Sequence, residues 1–171
     1  MKRVRKRKGP PTTTSTRPKS SARPNRRPKR KKSTRPGGVA YLGLGSNLGN
    51  RRANLEAALD ALAALSPVRV SSFYLSDPVG YADQPAFFNA VARMRWTGTP
   101  RELLSAVKGI EKRLGRVPTF RNGPRVIDID LLDVGGAVRR RPYPVLPHPR
   151  LEGRRFVLAP LAEIAPRWRH P

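Results

Sequence analysis

Not one acidic residue occurs in the first 38 positions, which hold 16 Lys and Arg and six Pro. Such a segment has almost no apolar surface to bury and repels itself, so residues 1–38 are expected to be disordered and the folded unit to be built from residues 39–171. Setting the segment apart changes the meaning of the charge. The chain of 171 residues carries 36 basic against 11 acidic residues, a formal +25, but residues 39–171 carry only +9, and 18 of their 20 cations are arginine. The segment reads as a solvated basic tail; the alternatives are a weak nonspecific nucleic-acid arm, an import sequence, and a translation start near Val39, Met94 being the only other methionine. The absence of cysteine excludes thiolate metal sites, thiol catalysis and a disulfide scaffold. No apolar run approaches the roughly 18 residues of a membrane span.

Within 39–171 the hydrophobic pattern alternates between two periods. Val39 to Leu44 is a short apolar strand entering a tight Gly45-Ser46-Asn47 turn, with Asn50 as the cap of a helix whose apolar positions are Leu55, Leu59, Leu62 and Leu65. Val68 to Leu75 alternates as a second strand. A turn-rich loop follows, and then a strand with Phe88, Ala90, Ala92, Met94 and Trp96 on one face and Phe87, Asn89, Arg93 and Arg95 on the other. Thr99-Pro100-Arg101-Glu102 is a capping box, opening a helix that presents Leu103, Val107, Ile110 and Leu114 and stops at Gly115. Val126 to Asp133 alternates again. The order is βαββαβ, which matches a ferredoxin-like α+β sandwich: an antiparallel sheet with both helices on one face and function on the other. Phe156 to Ile164 reads as an extra edge strand followed by a helical turn.

If Ile127, Ile129 and Leu131 face the helices, Asp128 and Asp130 project together from the open face, roughly 6–7 Å apart. Paired carboxylates suit one or two Mg²⁺ ions; a solvated strand face with Arg125 as ion-pair partner is the plainer reading of a bare Asp-x-Asp. Arg116, Arg121 and Arg125 lie just upstream, and cations beside metal-binding acids fit a polyphosphate lying between them better than a surface ion-pair cluster. Phe87 and Asn89 share a strand face, an aromatic plane beside an amide that can read a flat heterocycle, or simply a half-covered surface ring. His148 sits in a proline-held loop, as a phosphate or nucleotide contact or as a partner of a loop carbonyl. The glycine run Gly43–Gly49 lacks P-loop and G-x-G-x-x-G spacing and is assigned a structural turn.

Together Ala40–Asn50, Ser71–Tyr74, Asp83–Asn89, Gly115-Arg116, Arg121–Asp130, Pro147-His148 and Arg154–Pro166 resemble, in order, the 6-hydroxymethyl-7,8-dihydropterin pyrophosphokinase family of folate biosynthesis. The resemblance implies a cytoplasmic, monomeric, Mg²⁺-dependent enzyme that transfers pyrophosphate from ATP to the hydroxymethyl group of the pterin and releases AMP. It implies that Asp128 and Asp130 hold two Mg²⁺ ions bridging the ATP triphosphate, with Arg116 and Arg125 joining them as catalytic residues. It implies that Glu111, Arg116, Arg121, Arg125, His148 and Arg154 contact ATP, and that the pterin lies between Phe87 and Phe156 with Asn89 reading its edge. Asn122 stands where some members carry tryptophan, and Phe87 replaces a frequent tyrosine. Members often continue beyond His170-Pro171, so some edge coverage is expected to be lost. Two rival readings are an RNA-binding module of the same element order, which lacks the aromatic run such modules need, and a Mg²⁺-dependent phosphotransferase acting on another heterocycle.

Overall fold

The apolar alternation of β1 (Gly38–Ser46) sets the architecture, because this strand is paired on both sides. A computed structural model describes residues 38–171. The expectation for residues 1–38 lies outside the described residues, save for Gly38, which opens β1. After β1 come α1 (Arg51–Ala63), β2 (Val68–Val70), β3 (Tyr74–Ser76), β4 (Phe87–Trp96), α2 (Pro100–Arg113), β5 (Asp128–Val134) and α3 (Arg155–Ile164). The sheet is open and antiparallel, ordered β2-β4-β1-β5, and β3 also pairs with β4 beyond the end of β2.

Local chemistry fixes both early helices. The Asn50 side chain accepts from the Ala53 N–H at the start of α1. Thr99 and Glu102 cap one another at the start of α2, with Pro100 at its first turn. Gly115, at φ +83°, turns the chain out of α2 through a left-handed conformation. Leu42, Leu44, Ala92, Met94, Ile129 and Leu131 then pack against Leu55, Ala58 and Leu62 of α1 and Leu103, Val107 and Ile110 of α2. Burying each large aliphatic side chain here stabilises by about 1.5–3 kcal/mol.

The opposite face is not left bare, as the sequence pattern suggests. Phe156 to Ile164 is helical rather than an edge strand, and Val157, Leu161 and Ile164 of α3 pack with Leu151 on Val91 and Leu132. Their spacing of three and four residues is helical, and Pro160 in mid-helix obscures it. The segment 68–75 is also two strands, not one: Val70 lies opposite Ala92 and Tyr74 opposite Asn89, so three residues span the space of two. That bulge leaves Ser71 to pair its N–H with the Val91 carbonyl, while its Oγ accepts from the Val91 N–H. Leu65 lies past the end of α1 and is exposed, and Gly43 to Ser46 belong to β1 rather than to a turn.

Candidate active site

Away from α1 and α2 the three central strands present two short rows of residues. Asn89, Gly45 and Asp128 lie side by side across β4, β1 and β5, and one step along lie Val91, Gly43 and Asp130. The middle strand therefore contributes no side chain at either step. A Cβ at Gly45 would stand 3.4 Å from Asn89 Oδ1 and 3.7 Å from the Phe87 ring, and one at Gly43 would stand 3.3 Å from Leu132. The glycines floor a cavity of about 770 Å³, its open mouth included, lined among others by Phe87, Asn89, Arg125, Asp128, Asp130, Arg154 and Phe156. Sequence reading gave this glycine run to a turn and missed its place in the site. The usable signal was the alternation Leu42-Gly43-Leu44-Gly45, in which every second position lacks a side chain.

The cavity walls are aromatic and its polar groups are aimed. Phe87 is almost wholly buried, with the Arg125 guanidinium 5.1 Å from its ring centroid, and Arg154 stands 5.6 Å from the centroid of Phe156. Asn89 Nδ2 donates to Ser76 Oγ at 2.9 Å, which leaves Oδ1, beside Gly45, as the acceptor offered to the cavity.

On the far side, Asp128 accepts from Arg116 Nη1, and its Oδ2 lies 3.2 Å from Arg125 Nε in a geometry too bent for a hydrogen bond. Burial disfavours the charged form of Asp128, but Arg125, Arg116 and Lys108 outweigh it and hold the carboxyl below the usual aspartate range. Asp130 is more open, with Arg154 Nη1 at 3.6 Å and His148 Nε2 at 3.8 Å. Burial, Arg154 and Arg150 push the His148 pKa below its ordinary value despite the pull of Asp130, which favours the neutral ring. Its Nδ1 accepts from the Arg150 N–H, which leaves the ring proton on Nε2, facing Asp130.

Two residues expected at the site lie elsewhere. Glu111 is 3% exposed and lines neither cavity; its Oε1 accepts from Arg116 Nη1 at 2.6 Å, Lys108 Nζ at 2.7 Å and the Ile129 N–H at 2.6 Å. It anchors Arg116 from beneath. Arg121 is exposed on the loop after α2 and also lines neither cavity. That loop meets the one before β4: Tyr81 and Phe120 pack edge to face at 5.1 Å, and Gln84 Nε2 donates to the Asn122 carbonyl at 2.9 Å. Buried Asn47, which sequence reading did not single out, ties both loops to β1. Its Nδ2 donates to Gln84 Oε1 and the Pro85 carbonyl, and its Oδ1 accepts from the Arg125 N–H at 2.8 Å.

A second cavity, of about 730 Å³, opens between α2, β5 and the loop at 143–150, with Leu104, Lys108, Ile129, Tyr143, Val145 and His148 in its wall. It shares Asp130 and Arg150 with the first. Two concave sites joined at a carboxylate and a guanidinium can hold two substrates with their reacting ends together.

Comparison with known proteins accords with this layout. A family model described as 7,8-dihydro-6-hydroxymethylpterin-pyrophosphokinase (HPPK) matches residues 41–166. Over 134 residues the chain is 45% identical to a 2-amino-4-hydroxy-6-hydroxymethyldihydropteridine pyrophosphokinase of Pseudomonas aeruginosa, covering 77% of this chain and 83% of that one. A protein of the same name from Methylorubrum extorquens is 48% identical over 130 residues, covering 74% of this chain and 82% of its own, and one from Bacillus subtilis is 43% identical over 129, covering 74% and 77%. The residues that build both cavities fall within the matched span, and the chain belongs to the 6-hydroxymethyl-7,8-dihydropterin pyrophosphokinase family.

Proposed function

We propose that this chain transfers the terminal pyrophosphate of ATP to the hydroxymethyl group of 6-hydroxymethyl-7,8-dihydropterin, with release of AMP, in folate biosynthesis. One observation carries the reading: an aromatic cavity with an aimed amide and a second, cation-bearing cavity meet at Asp130 and Arg150. The pterin fits the first, between Phe87 and Phe156 with Asn89 Oδ1 accepting from its edge. The nucleotide fits the second, its phosphates lying over Asp128 and Asp130. The alcohol oxygen bonds to the β-phosphorus as the bond from that phosphorus to the AMP oxygen breaks. Arg116, Arg125 and Arg154 now face carboxylates; turned to the phosphates they neutralise the charge gathering on the leaving oxygen. His148 donates from Nε2, Glu111 acts through Arg116, and Arg121 joins when its loop closes. With His148 a donor, Asp130 is the partly open carboxylate that can take the alcohol proton.

Asp128 and Asp130 are the residues that would hold Mg²⁺, two ions together with ATP. Among the described residues no group of three acids or histidines gathers to cage a metal. A pair of hard carboxylates alone suits a cation that keeps several waters and takes its other ligands from phosphate. When bound, the metal neutralises triphosphate charge and orients it.

The strand order with α1 and α2 on one face supports a ferredoxin-like core. ATP as co-substrate supports a cytoplasmic setting, and both cavities being lined by one chain supports a monomer; no described helix is long and apolar enough to cross a membrane. The charge of residues 1–38 supports weak, salt-sensitive nucleic-acid contact. The deciding assay supplies ATP, Mg²⁺ and the hydroxymethyldihydropterin and separates AMP from ADP. Stoichiometric AMP and pterin diphosphate are expected; ADP, or no turnover, overturns the reading in favour of another phosphotransferase.

A further inference from the structure

Only two lysines occur in residues 39–171, and one of them, Lys108, stands in the wall of the second cavity. Its ammonium donates to Glu111 Oε1 at 2.7 Å and to the Ile129 carbonyl at 3.4 Å, between the positions of Asp128 and Asp130 along β5. Glu111 does not need it: the same oxygen is already held by Arg116 and by the Ile129 N–H. The Lys108 side chain is 42% exposed while that of Glu111 is 4% exposed, so the cation is the solvent-facing member of the pair. An ammonium carries three protons on a flexible stem, and the geometry uses one well and one poorly.

We propose that Lys108 is a further nucleotide-binding residue, which swings from Glu111 into the second cavity to grip the polyphosphate chain. This rests on the reading above that the second cavity takes ATP. In the resting state Glu111 parks the ammonium over the Ile129 carbonyl; with nucleotide present, phosphate oxygens replace the Glu111 contact of Lys108, and Glu111 stays satisfied by the Ile129 N–H and by Arg116, which exchanges only its Asp128 contact for phosphate. A purely structural Lys108, present only to neutralise Glu111, predicts a different pattern: its loss costs stability, while Arg116, still held by Glu111 and Asp128, keeps its place and affinity for the analogue is unchanged.

The test is calorimetric titration of the full chain and of K108Q, whose amide can still donate to Glu111, with Mg²⁺ and a nonhydrolysable ATP analogue and, separately, with adenosine. K108Q is expected to weaken the analogue about tenfold, to leave adenosine affinity unchanged, and to raise KM for ATP without moving KM for the pterin. K108R is expected to restore most of the loss. Equal affinity of wild type and K108Q for the analogue, or equal loss for analogue and adenosine, would overturn the role of Lys108 while leaving the two-cavity reading intact. Failure of the wild type itself to bind the analogue would overturn both.

Discussion

Replacing Asp130 by asparagine changes one oxygen at the junction of the two cavities. Because its carboxylate is partly open and holds Arg154 and His148 only at 3.6 and 3.8 Å, folding should be almost unaffected. Turnover should fall by about 100-fold or more, measured as AMP release; a rate near wild type would remove Asp130 from the chemistry. Glu111→Ala should show the opposite balance. Emptying a site that accepts from three donors leaves Arg116 and Lys108 without their buried counter-charge, a loss of about 3 kcal/mol read by denaturant unfolding. At this scale the sequence was informative about which residues face the cavity, because Asp128 and Asp130 must leave the core side of an alternating strand together. It could not distinguish Glu111 from a ligand contact. An acid on a helix looks the same whether its carboxylate reaches solvent or is sealed over Ile129, and only the packing of α2 on β5 decides between them.

Elements supply the distances. The glycines of β1 predict that Gly45→Ala leaves the sheet intact but sets a methyl in contact with Asn89 Oδ1 and Phe87, filling the cavity floor, so affinity for the pterin should drop at least tenfold while adenosine affinity holds. α3 is fastened to the sheet edge by Glu163, which accepts from the Ser72 N–H, Ser72 Oγ and the Tyr74 hydroxyl. The Ser72 N–H and the Tyr74 hydroxyl hold the Glu163 carboxyl below its ordinary value, and Glu163 raises the pKa of the Tyr74 phenol. The stabilising contribution of this contact is therefore complete above the ordinary glutamate pKa and is lost as pH falls through the depressed value. At the alkaline end it is complete below the ordinary tyrosine pKa and fades as pH rises through the raised one. Unfolding of Glu163→Gln followed across pH should lack the acid limb; an unchanged profile would show that the contact contributes nothing. Both early helices were legible because Asn50 and the Thr99–Glu102 box mark their starts locally. α3 was not, since Arg154 makes no side-chain cap and Pro160 interrupts the pattern, so its helicity rests on Val91 and Leu132 beneath it.

For the molecule as a whole, the two loops that meet through Tyr81–Phe120 and Gln84–Asn122 stand where a lid would, beside Asn122, Asp77 and Val79 at the cavity rim. Amide exchange over 77–86 and 115–124 should slow when Mg²⁺ and a nonhydrolysable ATP analogue bind, and unaltered exchange in both would argue against closure. The sheet that carries these loops has a parity set by one inserted residue at its edge. Up to Val70 the odd-numbered residues face away from α1 and α2; beyond Ser71–Phe73 the even-numbered ones do, which brings Tyr74 and Ser76 round beside Asn89. Deleting Ser72 would remove the extra residue and let the edge run as one regular strand, with Tyr74 and Ser76 still opposite Asn89 and Phe87. Ser76 would keep the Asn89 amide nitrogen engaged, and the loss would fall on α3, because Glu163 would no longer accept from the Ser72 N–H and hydroxyl; the aim of the amide and the anchorage of the helix are separable at a single edge residue.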